Sequence, residues 1–342
     1  MIPGIIKTTC CSILFLFSLQ NSTFAQLAYT TDILGGKFQM ATIHQPDDYE
    51  GQVTCTLIRR TANADSKKAV LYVHGYNDYF FQEEMAEQYA AHGYNFYAVD
   101  LRKYGRSILP NQKMNNVRDL KEYFADIDTA LKIIQSEGAV FTLLSGHSTG
   151  GLIVTYYAQQ HRRKALFQAL FLNSPFFDFN APIPTTQTPI PTLAKKGAIT
   201  PDSLNKRGTS SLYGESLHQS GKGEWNYNLN WKPFIAPASN YGWINAIYTA
   251  QNDVQNGREI KQPILLMYAD NSVYTQTWTD KMFTGDAVLD VKDIEERGAA
   301  LRGRKTIVVI KNGMHDLVLS QKPVRENVYT ILFNWLDTNS NN

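Results

Sequence analysis

Cysteine is scarce in this chain, with three in 342 residues. Cys10 and Cys11 lie together near the start, which leaves Cys55 alone in the body of the sequence. That excludes an intramolecular disulfide there, and no His/Cys spacing of the zinc-binding kind occurs. A surplus of one charge is lacking as well: Lys and Arg total 33 against 31 Asp and Glu, without a long block of either. No nucleic acid or other polyanion is expected as a partner. The chain has no phosphate-binding Gly-rich loop followed by Lys, no dinucleotide fingerprint, no internal repeat and no low-complexity tract, so neither a cofactor nor a metal is implied.

Long apolar runs are missing too. The run Ile13-Leu14-Phe15-Leu16-Phe17 is too short to span a bilayer comfortably. It follows Lys7 and precedes Thr23-Phe24-Ala25-Gln26, the three-part layout of a secretory signal cut after the small residue Ala25. Residues 1–25 are therefore expected to be a signal peptide and the chain exported, to a periplasm or beyond the cell; an uncleaved anchor is the rival reading. The remainder, with 43% apolar and 19% charged residues over the whole chain, has an ordinary globular composition and suits one large domain over 26–342. Cys55, in the strand-like Gln52–Ile58, reads as a small core residue.

The body opens with alternating apolar and polar residues in Gly36–Ile43 and around Cys55, flanking a turn-like Gln45–Gly51: an antiparallel hairpin signal. Then the pattern changes. Ala69-Val70-Leu71-Tyr72-Val73 is apolar throughout, as a strand covered on both faces would be. Helical stretches at Glu83–His92 and Arg118–Gln135 alternate with strands at Asn95–Asp100 and Phe141–Ser145, and Leu120, Phe124, Ile127, Leu131 and Ile134 share one helical face. Strands alternating with amphipathic helices imply a parallel, doubly wound α/β sheet. Further strands are expected at Ala169–Asn173, Pro263–Tyr268 and Thr306–Ile310, with a closing helix carrying Val328, Ile331, Leu332 and Trp335. The interval between the strands at Asn173 and Pro263 is too long for a plain connection. It begins with Pro182, Pro184, Pro189 and Pro191 and continues with Trp225, Tyr227, Trp231, Phe234, Tyr241 and Trp243. It reads as a cap inserted over about 180–262, its aromatics mainly packing the cap and in the minority touching substrate.

Between strand and helix lies Gly146-His147-Ser148-Thr149-Gly150, a Gly-x-Ser-x-Gly pattern. A serine on such a turn presents its hydroxyl at the carboxyl end of the sheet, near the positive end of the next helix. Ser148 is the candidate nucleophile. His315, in Gly313-Met314-His315-Asp316 just after the last strand, reaches the same end of the sheet and is the candidate base. His74 and His147 adjoin tight turns and are expected to brace them. The acid has three candidates: Asp286, whose Asp-x-apolar-apolar form opens a helix, and Asp290 and Asp270. Backbone N–H groups of Thr149 and of Tyr76, in the His74-Gly75-Tyr76 loop, are the candidate donors to a developing oxyanion.

Four stretches in order, Tyr72-Val73-His74-Gly75-Tyr76-Asn77-Asp78-Tyr79, Val99–Ser107, Gly146–Gly150 and Gly313–Asp316, resemble the α/β-hydrolase superfamily. In particular they resemble its lysophospholipase and monoacylglycerol lipase-like group, also described as serine aminopeptidase S33. The resemblance implies an α/β-hydrolase fold, a mostly parallel doubly wound sheet with an N-terminal antiparallel hairpin and an inserted cap. It also implies Ser148 as nucleophile, His315 as base, and Tyr76 and Thr149 as oxyanion donors. Two departures stand out. The usual Arg-Gly-His-Gly is Arg102-Lys103-Tyr104-Gly105, which is expected to alter the loop's surface, and the strand before the acid lacks the usual Gly-x-x-Asp ending. The activity expected is cleavage of carboxylic esters of lipid-like molecules, of monoacylglycerol or lysophospholipid type, through a Ser-His-Asp triad and an acyl-enzyme. Amide or peptide hydrolysis, or silent binding of an apolar ligand, are the alternatives. The expected partner is a lipophilic small-molecule ester, with transient contact to a membrane surface; no residue pattern specifies an oligomer.

Overall fold

The computed structural model describes residues 27–62, 65–161, 165–179, 190–205 and 210–340. The expected signal peptide and Pro182, Pro184 and Pro189 lie outside the described residues. The elements are β1 (Thr30–Thr31), β2 (Gln39–Asp48), β3 (Gly51–Arg60), β4 (Lys68–Val73), α1 (Glu83–Ala91), β5 (Tyr94–Asp100), α2 (Phe124–Ser136), β6 (Phe141–His147), α3 (Thr149–Gln160), β7 (Ala169–Asn173), α4 (Ile190–Ile199), α5 (Leu212–Leu217), α6 (Tyr241–Gln255), β8 (Ile260–Ala269), α7 (Val291–Ala300), β9 (Gly303–Ile310) and α8 (Lys322–Asn339).

Among the described residues the strands form one sheet in the order β1-β2-β3-β5-β4-β6-β7-β8-β9. β2, β3 and β5 pair antiparallel, while β5, β4, β6, β7, β8 and β9 run parallel. The apolar strands are central because alternate residues feed opposite layers. On β4, Leu71 and Val73 join the cluster containing Leu131, Ile134 and Val154, while Val70 and Tyr72 join the one containing Met85, Tyr89 and Leu332. The chain passes from β4 to β5 on one side and then to β6 on the other. The crevice at the carboxyl end of β4 is thus a topological switch point, where open α/β sheets hold their ligands.

Three local expectations are corrected. The stretch Gln45–Gly51 is mostly strand: β2 runs to Asp48 with a register shift after Gln45, leaving Tyr49 and Glu50 to turn. Pro46 is tolerated because β1 covers β2 only as far as Met40, so the missing N–H falls on an edge. The helix expected from Arg118 begins as a 3₁₀ turn, Leu120–Tyr123, fixed by a capping box between Asp119 and Glu122, and becomes α-helical at Phe124. Lys103 does not alter the loop's surface, because it is completely buried. Its backbone has φ 65°, and its ammonium forms ion pairs with Asp48 at 2.7 Å and Glu50 at 2.9 Å, so the hairpin tip clasps this loop.

Within the expected cap, α6 lies on α3 and buries Ile247, Ala250 and Val254 in the same cluster as the sheet. The segment around α5 reaches the loops at the carboxyl ends of the strands. Trp225 Nε1 donates to Leu319 O at 2.9 Å, and Asn228 N to the Tyr79 hydroxyl at 2.7 Å. Of the aromatics singled out in this stretch, Tyr227 and Trp243 are buried in the two clusters, and Trp225, Trp231 and Tyr241 pack against them.

The loops at that end are fixed in turn by Asp100, the last residue of β5. Its carboxylate accepts from Phe80 N at 2.9 Å, Arg106 N at 3.0 Å and Arg106 Nη1 at 2.8 Å. Gly105, at φ 47°, passes so close that an added Cβ would lie 2.5 Å from Asp100 Oδ2. Replacing Asp100 with Ala leaves Phe80 N–H without an acceptor and removes one of the two carboxylates on the buried Arg106. Urea unfolding is expected to report a loss of about 3 kcal/mol or more.

Candidate active site

β6 runs directly into α3 through Ser148, whose backbone has φ 53° and ψ −119°. A non-glycine residue in this region is strained and persists only when its surroundings over-determine it. Here they do. Ser148 N donates to Asn173 O on β7 at 3.0 Å, and Ser148 O accepts from Phe176 N at 3.0 Å. The glycines on either side are demanded by close approach. A Cβ on Gly146 would lie 2.5 Å from Gly150 O, and one on Gly150 would collide with the carbonyls of Val73 and His74. Gly75 faces the serine across the crevice, a Cβ there lying 3.1 Å from Ser148 Cβ. The Gly-x-Ser-x-Gly turn and the His-Gly-Tyr loop are therefore in contact, with Ser148 only 8% exposed between them.

His315 sits in the loop after β9, and its Nδ1 lies 2.8 Å from Asp286 Oδ2. Both are buried. The other carboxylate oxygen of Asp286 accepts from Val288 N at 2.8 Å and Leu289 N at 2.7 Å, so the acid is held by the start of its own following turn. Its main chain is stitched to the loop after β8: Asp286 N donates to Asn271 O and Val273 N donates to Asp286 O. The acid thus lies where the end of β8 would present one, although it arrives later in sequence. The other two candidates are engaged elsewhere. Asp290 caps α7 through Lys292 N, and Asp270 accepts from Asn312 N and Asn271 Nδ2. Of the three, Asp286 is the one that meets His315.

His74 and His147 brace the loops, as expected. His74 Nε2 accepts from Leu101 N at 3.1 Å, which leaves Nδ1 to donate to Gly75 O at 2.8 Å; His147 Nδ1 bonds Asn173 O at 3.2 Å. Burial lowers the pKa of both below the usual histidine value, outweighing the pull of neighbouring carboxylates. Asp78 shows the opposite balance: burial alone would raise it, but Lys232 at 2.8 Å, with help from the two histidines, holds it below the ordinary carboxylate value.

The sequence reading missed a second network. Asp316 accepts from Asn173 Nδ2 at 2.7 Å and Gln82 Nε2 at 3.3 Å, while Asp316 N donates to the Tyr213 hydroxyl. Tyr213, from α5, also packs edge-on against the His315 ring at 5.6 Å. The signal was an Asp directly after His315 and an Asn ending β7, but nothing in sequence links them to Gln82 or Tyr213. Thr149 opens α3, and Tyr76 packs its ring 4.5 Å from Trp243 while its hydroxyl donates to Pro237 O. No group of His, Cys, Asp and Glu among the described residues has a metal-binding arrangement.

The family model described as serine aminopeptidase, S33 matches residues 64–322. The chain belongs to this family. Its fold is shared with a soluble variant of monoglyceride lipase from Saccharomyces cerevisiae, solved with a substrate analogue, at 16% identity and TM-score 0.64 over 87% of this chain and 94% of that one. It is also shared with a monoacylglycerol lipase from Paleococcus ferrophilus at 19% identity and TM-score 0.61, over 83% and 99%. Est1E from Butyrivibrio proteoclasticus, solved with ferulic acid, follows at 14% identity and TM-score 0.55, over 88% and 100%. No curated protein sequence matches the chain significantly. This S33 chain is thus an α/β hydrolase, with the expected mostly parallel sheet and antiparallel N-terminal strands.

The two buried histidines carry a pH consequence. Each has a folded pKa below its unfolded value near 6.5, so the unfolded chain binds more protons and stability falls as pH drops below that value. Each histidine contributes at most about 1.4 kcal/mol per pH unit in this window. Urea unfolding from pH 8 to 5 is expected to show the decline, and His147→Gln to make its slope shallower by up to one proton.

Proposed function

We propose that this S33 hydrolase cleaves carboxylic esters of lipid-like molecules, of monoacylglycerol or lysophospholipid type, through Ser148, His315 and Asp286. The observation that carries the reading is the buried 2.8 Å contact between Asp286 and His315 Nδ1, with the acid's second oxygen committed to two backbone N–H groups. An imidazole so held keeps its proton on Nδ1 and offers Nε2 as the base. Ser148 Oγ attacks the carbonyl carbon as its proton passes to His315, and the carbonyl oxygen takes the negative charge. Tyr76 and Thr149 N–H groups stabilise that charge. His315 returns the proton to the departing alcohol, leaving an acyl-enzyme, which water attacks by the same route in reverse.

An ester is favoured over the free-amine peptide that the family's description suggests. Gripping a substrate ammonium needs a spare carboxylate, and those buried around this crevice are engaged: Asp78 with Lys232, Asp286 with His315, Asp316 with Asn173 and Asp100 with Arg106. The cavity beside Tyr76 has Met114, Leu204, Pro237 and Trp243 on one side, which suit an apolar group, and Lys113 and Asp202 at its edge, the latter paired with Arg118 at 2.8 Å.

A fluorophosphonate probe is expected to label the purified protein and not Ser148→Ala. Asp286→Asn should lower kcat/KM by about 10⁴-fold at equal folded fraction, as the imidazole loses its orienting acceptor, whereas Asp290→Asn stays within a few-fold. Acyl esters should be turned over faster than matched aminoacyl amides. Full activity in Asp286→Asn, or faster turnover of the amides, refutes the corresponding part.

We further propose that residues 1–25 direct export and that 26–342 form one hydrolase domain with 180–262 as its cap, in transient contact with a membrane surface that supplies the substrate. No helix among the described residues is long and apolar enough to cross a membrane. N-terminal sequencing of the mature protein is expected to begin at Gln26; a chain still starting at Met1 overturns the cleavage.

A further inference from the structure

Asn173 is the last residue of β7, buried and in register with His147 on β6. Its main-chain O accepts from Ser148 N at 3.0 Å and from His147 Nδ1 at 3.2 Å. Its side chain bonds a different segment. Nδ2 donates to Asp316 Oδ1 at 2.7 Å, and Oδ1 accepts from Leu317 N at 3.2 Å. Leu317 N can only donate and the Asp316 carboxylate accepts, so a single orientation of the amide satisfies both partners. One residue is thus bonded to the proposed nucleophile and to the two residues that follow the proposed base.

The loop bearing His315 leaves β9, which is separated from β7 by β8, and has to cross the end of β8 to bring the imidazole to Ser148. Bonds within the loop, Met314 N to Ser320 Oγ at 2.9 Å and Val318 N to Asp316 Oδ1 at 3.3 Å, fix its shape but not its place. Residues 315–317 are hydrogen-bonded to other segments through Asp286, Gln82, Tyr213 and Asn173. Among these four, Asn173 alone also bonds Ser148. We infer that Asn173 is a positioning residue that sets the reach from Ser148 Oγ to His315, and with it the rate of the chemical step rather than the binding of substrate. The inference rests on the ester-hydrolase reading and its triad. Proton transfer from serine to imidazole needs the two atoms within hydrogen-bond reach, and a misplacement of about 1 Å costs about 10²-fold in rate. Asp286 orients the ring from the side of β8; Asn173 holds the loop from the side of the serine, on an interior strand that keeps a distance better than a loop does.

The test measures kcat and KM for p-nitrophenyl butyrate, and the rate of labelling by a fluorophosphonate, at equal folded fraction. Asn173→Ala keeps the main-chain bonds to Ser148 and His147 and deletes both bonds to the loop. It is expected to lower kcat about 10²-fold with KM unchanged within about threefold, and to slow labelling by a similar factor. Should it not fold, Asn173→Leu, which fills nearly the same space without a hydrogen bond, takes its place. The double variant Asn173→Asp with Asp316→Asn exchanges donor and acceptor across the same 2.7 Å contact and still offers Leu317 N an acceptor. Its kcat should return to within about tenfold of wild type, the weight of one hydrogen bond. A single variant with wild-type kcat, a loss carried by KM alone, or a double variant no faster than the single one overturns the role. If the wild-type protein is labelled but does not turn over the ester, the ester-hydrolase reading fails and the labelling rates still decide the role of Asn173. A wild-type protein that is not labelled overturns the triad and this role with it.

Discussion

The geometry of the site depends on one backbone contact, the crossing of the Ser148 turn over the end of β4. Gly150 lies against the carbonyls of Val73 and His74, and Gly146 against Gly150. Because no side chain intervenes there, β4 and β6 bring the His-Gly-Tyr loop and the serine into the same few ångströms. The positive φ of Ser148 costs on the order of 1–3 kcal/mol. The interior strands offset it, since Val73, Leu144 and Leu172 are completely buried around the turn. The hydrogen bond from Ser148 N to Asn173 O then ties β7 into the same junction. His147 and Asp316 meet that strand end too, so the loop bearing His315 is positioned by the contact that positions Ser148.

Around this junction the buried charges are matched in pairs and triads. Arg106 joins Asp32 and Asp100, Arg102 joins Asp126, and Lys103 joins Asp48 and Glu50. Such groups contribute little net stability, because desolvation consumes much of the Coulombic gain. Their effect is geometric. Asp100 spaces the loop after β4 from the loop after β5, and Lys103 joins the latter to the hairpin tip, so that antiparallel strands far from the serine still brace the wall of its crevice.

The sheet, its order of helices and the serine turn were legible in the sequence because each is written in local patterns: apolar runs, helical periodicity, and glycines spaced for close approach. Asp286 was legible only as one of three candidate acids. Asp286 and His315 are 29 residues apart, and what brings them together is a short bridge between Ser272 and Asp286, a tertiary pairing with no periodic trace. Lys103 misled for a related reason. A lysine in a loop reads as solvated, but its two acidic partners lie on a hairpin remote in sequence, and only their convergence makes burial affordable. Of the network of Asp316, Asn173, Gln82 and Tyr213, only the Asp after His315 and the Asn ending β7 left a trace in sequence, since the four members come from four separate segments.

The segment 228–237, within the proposed cap, is tied to the loop after β4 along its whole length. Four consecutive residues after Gly75 all bond to the segment 228–237: Tyr76 to Pro237 O, Asn77 to Pro233 O, Asp78 to Lys232, and the Tyr79 hydroxyl to Asn228 N. The Asp78–Lys232 pair is buried on both sides. Separating it would expose two charges to partial hydration without their partner, whereas the neighbouring hydrogen bonds exchange readily with water. This segment is therefore fastened most firmly at Asp78, two places beyond the proposed oxyanion donor. Any movement that opens the crevice at this edge displaces Tyr76 as well, so access to the serine and the geometry of the proposed oxyanion site are set by the same contacts.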